Sequence, residues 1–220
     1  MYNIIFTIVW ITVSIIYILS FILSLIVSYC KKSSLNFFYC YTTVAIFILF
    51  IFLLSRFKIL PKDLYYNLNG VSVIFHFSFL SSFIFKQINF KRKKILKFIY
   101  LIVILLLIQL IISDFTLKKG FPYLLTSLIL VFISLFYYLE LLNKIPIVNL
   151  LKDSTFWVVT GIFIGMGINI PGYAIGIIYL KQTVSKEMVL LISSIIMASY
   201  GIMHLFFIKA FICSLQHHKA

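Results

Sequence analysis

Long apolar runs separated by short polar breaks set the pattern of this chain. Crossing a bilayer as a helix takes about 20 mostly apolar residues. Seven runs reach that length: 4–29, 36–56, 65–87, 96–115, 120–143, 154–180 and 187–213. Pro61, Pro122 and Pro146 lie at or beside the breaks, where a missing backbone N–H costs least. Such short breaks predict antiparallel neighbours along the chain. The expected fold class is all-α: one polytopic membrane domain over residues 1–220, a seven-transmembrane-helix bundle.

The sixth run differs from the others. It holds five of the chain's eight glycines, at Gly161, Gly165, Gly167, Gly172 and Gly176, together with Pro171. Small residues four apart let two helices approach closely, so Gly161/Gly165 and Gly172/Gly176 are predicted packing positions. Pro171 removes one helical hydrogen bond and invites a kink. Lipid cannot satisfy a carbonyl freed in this way. This run is therefore expected to be the bent, central helix of the bundle.

Composition and charge narrow the class further. With 63% hydrophobic and 11% charged residues and a mean hydropathy of +1.15, the chain is no soluble domain. Its net charge of +14 is carried by short basic clusters between apolar runs, a pattern for anionic lipid rather than nucleic acid. Twelve of the 19 Lys and Arg residues fall on one side, half of them at Lys86, Lys91, Arg92, Lys93, Lys94 and Lys97. The positive-inside rule then places the N-terminus outside and the C-terminus in the cytoplasm. This topology belongs to the cytoplasmic (inner) membrane. It puts Cys30, Cys40 and Cys213 near the reducing face, and their spacing is not that of a zinc site. The first run has no basic segment before it and no small-residue cleavage site after it, so it is expected to stay in the membrane.

Ionisable and amide side chains inside spans are the places to look for chemistry. His76 and His204 fall within the third and seventh runs. Their estimated depths differ by roughly 9 Å at 1.5 Å per residue, too far to share a metal. Asn69, Gln109 and Asn169 are expected to act as interhelical glue. Asn169 lies two residues before Pro171, so His76, Asn169 and Pro171 are the expected lining of a mid-membrane pocket. Their alternative is structural, a neutral imidazole and a kink satisfied internally. Glu140 precedes Lys144 by one helical turn, a favourable pair. The sharper reading joins Glu140 to His204 and Lys209 as an inner-side polar cluster. No retinal lysine–acid pair, Gly-x-Ser-Gly nucleophile, Walker loop, dinucleotide fingerprint or haem motif occurs. No catalytic, metal or cofactor site is expected.

Three stretches carry a resemblance: Tyr65-Tyr66-Asn67-Leu68-Asn69; Tyr137-Tyr138-Leu139-Glu140-Leu141-Leu142 with Phe156-Trp157-Val158-Val159-Thr160-Gly161; and Ile195-Ile196-Met197-Ala198-Ser199-Tyr200-Gly201. On these, the chain resembles a set of small seven-helix membrane proteins common in Bacteroidota-type bacteria. Those are similar to the seven-helix input modules fused to or near histidine kinases. The resemblance implies a sensory role. With no kinase domain in this sequence, signalling would need a separate cytoplasmic or membrane partner.

The expected function is thus a non-enzymatic sensory or accessory protein that relays a ligand or membrane state. Its basic third loop would meet a partner or anionic lipid. The alternatives are a small-molecule or lipid transporter and an intramembrane hydrolase.

Overall fold

A computed structural model describes residues 2–29, 35, 38–56, 62–88, 93–112, 120–144, 150–179 and 185–216. Side chains are described for these except residues 2–3, 52–53, 55–56, 62–67, 69, 93–99, 110–112, 143–144 and 179. The described backbone forms seven α-helices: α1 (Tyr2–Tyr29), α2 (Phe38–Arg56), α3 (Lys62–Gln87), α4 (Lys93–Ile112), α5 (Phe121–Lys144), α6 (Ser154–Tyr179) and α7 (Lys186–Gln216). Four of them, α1, α5, α6 and α7, are long and apolar enough to cross a membrane. Within α2 and α4 the qualifying apolar stretches are shorter, Phe38–Ile51 and Tyr100–Gln109. The protein is thus an all-α membrane protein in which each of the seven apolar runs coincides with a helix.

Local chemistry fixes several helix ends. The Asp153 carboxylate accepts the Thr155 N–H at 2.8 Å, capping α6. Just before it, the short 3-10 turn Leu150–Lys152 presents the Leu151 carbonyl. That oxygen accepts from the Trp157 indole at 2.9 Å and from the Cys213 thiol at 3.6 Å, tying the start of α6 to the end of α7. Ser185 caps α7 through its bond from the Met188 N–H. At the start of α5, Gly120 has φ +70°, a left-handed conformation that glycine adopts without a Cβ clash.

The helices do not pack in simple chain order. α1 contacts α2, α2 contacts α3, α3 contacts α5, α5 contacts α6, α6 contacts α7, and α7 returns to α1. These six close a ring. α4 lies outside it, against α3 and α5. Among the described residues, hydrogen bonds between side chains tie at least five of the six joints. They are Ser24–Thr42 (2.6 Å), Tyr41–His76 (3.0 Å), Tyr138–Thr160 (2.8 Å), Tyr173–Tyr200 (3.3 Å) and His204–Ser20 (3.1 Å).

The buried positions of α1 show how such a ring forms from an apolar helix. Phe6, Val13, Ser20 and Val27 recur every seven residues and are buried, whereas Ile4, Ile8, Ile11, Ile15 and Ile22 are exposed. A seven-residue repeat keeps one narrow seam against a partner helix, and the remaining isoleucines face outward, as lipid requires. α7 is buried more broadly over its second half, from Met203 and His204 to Cys213 and Ser214.

Glycine placement decides the α6–α7 joint. A Cβ on Gly161 would lie 2.7 Å from the Phe206 Cβ, and one on Gly165 2.8 Å from the Met203 Cβ. On Gly172 it would meet Ile196 at 2.9 Å. Gly176 has nothing within 4 Å of that position. Three of the four expected packing glycines therefore hold α6 against α7, and Gly176 does not. Gly201 plays the same part from α7 toward Val13 on α1, at 2.9 Å. α6 also runs unbroken through Pro171, which is exposed. It occupies one place in the ring, between α5 and α7, rather than the centre of the bundle.

Candidate functional site: a cavity inside the ring

The ring encloses a cavity of about 330 Å³, within the size range of small-molecule sites. All six ring helices contribute to its wall, and none of the described side chains of α4 does. Aliphatic side chains such as Val13, Ala45, Leu49, Val73 and Leu130 supply most of the surface, together with Met166 and Met197. Polar groups come from Tyr17, Tyr123, Tyr173, Tyr200 and His76, with Ser72 and Thr126. Among the described residues, none of those lining the cavity is Asp, Glu, Lys or Arg.

Chain direction places the cavity at one end of the bundle. It draws on Gly120 and Tyr123 from the start of α5, Leu68 from the first part of α3, and Tyr173 from the last part of α6. These segments all belong to the end where α1 begins. Toward the other end the interior is filled by aromatic rings. Phe38 lies edge-on to Phe83 at 4.7 Å and to Phe207 at 5.1 Å. Phe38, Tyr41, Phe83, Phe207 and Phe211 are all fully buried. The cavity therefore has a closed aromatic floor.

Tyr41 links floor and cavity. Its hydroxyl is 3.0 Å from Nε2 of His76, and its ring packs against His76 (5.1 Å between centroids) and His204 (6.0 Å). His76 also lies edge-on to Tyr200 at 5.6 Å. Tyr200 bonds Tyr173, whose ring stacks on Tyr123 at 5.1 Å. His204 is fully buried, with Nδ1 toward Ser20, Tyr17 packed on its ring at 3.9 Å, and no partner for Nε2. The two imidazoles that linear depth separates thus share one aromatic neighbour.

Of the expected pocket residues, His76 lines the cavity, but Asn169 and Pro171 do not. Asn169 is fully buried and bonded to Ser199 on α7. As drawn, the Ser199 hydroxyl serves both the Asn169 oxygen and the Ile196 carbonyl, while the Asn169 nitrogen has no partner. One hydroxyl proton cannot do both. Turning the amide over lets its N–H donate to Ser199 while Ser199 donates to Ile196, so the one hydroxyl proton is no longer shared. Asn169 is then α6–α7 glue.

The expected cluster of Glu140, His204 and Lys209 is not brought together. His204 turns to α1, and Lys209 is exposed, with its ammonium 5.9 Å from the Trp157 ring centre. Gln109 is exposed on α4 rather than buried. The side chains of Asn69 and Lys144, Cys30, the loop residues Lys91 and Arg92 and the tail residues His217 and His218 lie outside those described. Among the described residues, no three His, Cys, Asp or Glu side chains are grouped to hold a metal.

The chain matches no protein-family model, no curated protein and no solved structure.

Sequence reasoning missed the tyrosines. Tyrosine in a membrane chain usually marks the lipid–water interface. Tyr17 and Tyr200 lie well inside their helices, and that displacement from the ends was the available signal.

Proposed function

We propose that this is a seven-span sensory membrane protein that binds a small molecule in its ring cavity and passes the bound state to a separate partner. The cavity with its single closed floor carries this reading. A channel needs a continuous path, and a transporter needs a floor that opens. A receptor needs neither. The excess of Lys and Arg at the far end supports an orientation with the N-terminus and cavity outside and the C-terminus in the cytoplasm. The basic stretch Lys91–Lys94 would then face a cytoplasmic partner or anionic lipid.

Relay would run through the floor. A ligand displacing Tyr200 or His76 acts on Tyr41, which packs on Phe207 of α7 at 5.8 Å. α7 is thus the element that reaches from the cavity to the opposite face.

Crosslinking in native membranes tests the proposal, comparing wild type with the cavity-filling variant Ala45→Phe. A partner captured by both, in a yield that changes with the variant, supports relay. Capture of no partner, with solute uptake by the purified protein in proteoliposomes, would replace it with the transporter reading.

A further inference from the structure

A second cavity of about 470 Å³ lies where α4 rests outside the ring. It is bounded by α3, α4 and α5, through residues such as Phe85, Tyr100, Val103, Ile129 and Phe132. Apart from the Tyr100 hydroxyl, the lining side chains are hydrocarbon. Phe132 and Leu128 are also exposed on the outer surface of the helices, Phe132 at 60%. In a bilayer this groove meets acyl chains rather than water. Phe77 lines both cavities and is itself fully buried. Phe77 is thus common to the lipid-facing groove and the ring interior, stacked against Tyr100 of the outlying helix at 5.9 Å.

The ring cavity indicates what such a passage would admit. Among the described residues its wall holds hydroxyls and one imidazole but no formal charge. An ion entering would lose its hydration with no counter-charge among these residues to replace it. Tyr17, Tyr123, Tyr173 and Tyr200 bring phenol groups to this wall, which suit a neutral partner that can hydrogen-bond.

We infer that the ring cavity takes an uncharged, lipid-soluble molecule with a hydrogen-bonding group for the tyrosine hydroxyls, and that this ligand arrives sideways from the bilayer past Phe77. The inference rests on the cavity being a ligand site, as proposed above.

The test uses the full chain in nanodiscs and two fluorescent probes of similar size. One is neutral 1-aminoanthracene, and the other is its permanently charged trimethylammonium analogue. Energy transfer from the protein's tyrosines and tryptophans separates bound probe from probe dissolved in lipid. The neutral probe is expected to saturate. Its signal should be lost in Ala45→Phe and in Ser72→Phe, which fill the cavity from different helices. The charged analogue is expected not to saturate. Equal or tighter saturation by the charged analogue, lost in the same variants, overturns the neutral class and leaves the binding site standing. If neither probe saturates, the inference falls. Native mass spectrometry of the purified protein for a retained molecule then decides separately whether the cavity is a ligand site.

The route has its own readout. Val103→Trp fills the groove without touching the ring cavity, and should slow probe exchange several-fold at unchanged equilibrium affinity. Phe77→Leu should speed exchange. Exchange rates unchanged in both variants overturn the sideways route.

Discussion

The Tyr41 hydroxyl lies 3.0 Å from Nε2 of His76, joining the aromatic floor to the cavity wall across the α2–α3 joint. Tyr41→Phe keeps the ring packing on Phe38 and Phe207 and removes only this bond. Leaving a buried partner unsatisfied costs about 1–3 kcal/mol, so unfolding in mild detergent should show a loss of that order. His76→Phe in the Tyr41→Phe background should recover part of it, because both ends of the pair are then apolar. An undiminished loss in the double variant would show that His76 has another essential partner.

The glycines of α6 should divide sharply. Overpacking at a tight helix contact costs about 1–3 kcal/mol, so Gly161→Ala and Gly165→Ala should each destabilise the protein by that amount. Gly176→Ala meets open space, and should gain up to about 1 kcal/mol from helix propensity alone. Thermal melts of the three variants give the comparison, and equal behaviour at Gly165 and Gly176 would contradict the close α6–α7 approach.

That contrast shows where sequence legibility ends. Gly161/Gly165 and Gly172/Gly176 have the same spacing, and nothing in the letters distinguishes a glycine under Met203 from one facing open space. Helix positions were readable because long apolar runs are interrupted by short breaks that carry Lys, Pro or Asp. The expected break at Lys144 to Asp153 and the Asp153 cap of α6 are one example. The ring order was not readable. An isoleucine facing lipid and one facing a neighbour are chemically the same, so the outlying position of α4 left no trace. His76 was found by its charge chemistry, whereas Tyr17 and Tyr200 carry no charge that would single them out. Asn169 and Pro171 were drawn to the pocket by their proximity in sequence, but a helix turns about 100° per residue, and their faces diverge.

Pro171 is exposed and outside the cavity, in a helix that continues through it. Pro171→Ala restores one backbone bond and should raise stability, by at most about 3 kcal/mol on helix-propensity scales. Probe binding in the ring cavity should be unchanged. Loss of binding in a fully folded Pro171→Ala protein would return Pro171 to the site.

Asn169 and Ser199 should behave as a coupled pair. Buried hydrogen bonds between membrane helices average about 0.6 kcal/mol in double-mutant cycles and reach about 1.7 kcal/mol. The cycle Asn169→Leu, Ser199→Ala and both together should fall in that range. Additive losses would show that the two side chains are satisfied independently.

Among the described residues α4 packs chiefly on two neighbours, while the six other helices hold one another in a closed circuit. Regions with fewer buried contacts open at lower free energy than the rest of a fold. Amide hydrogens of α4 should therefore exchange with deuterium earlier than those of α6 or α7, as a separate cooperative unit. The same weak docking makes α4 the segment best suited to respond to bilayer thickness, because it can tilt without breaking the circuit. A protein built this way carries its most lipid-responsive part beside Phe77, which lines both the outer groove and the interior.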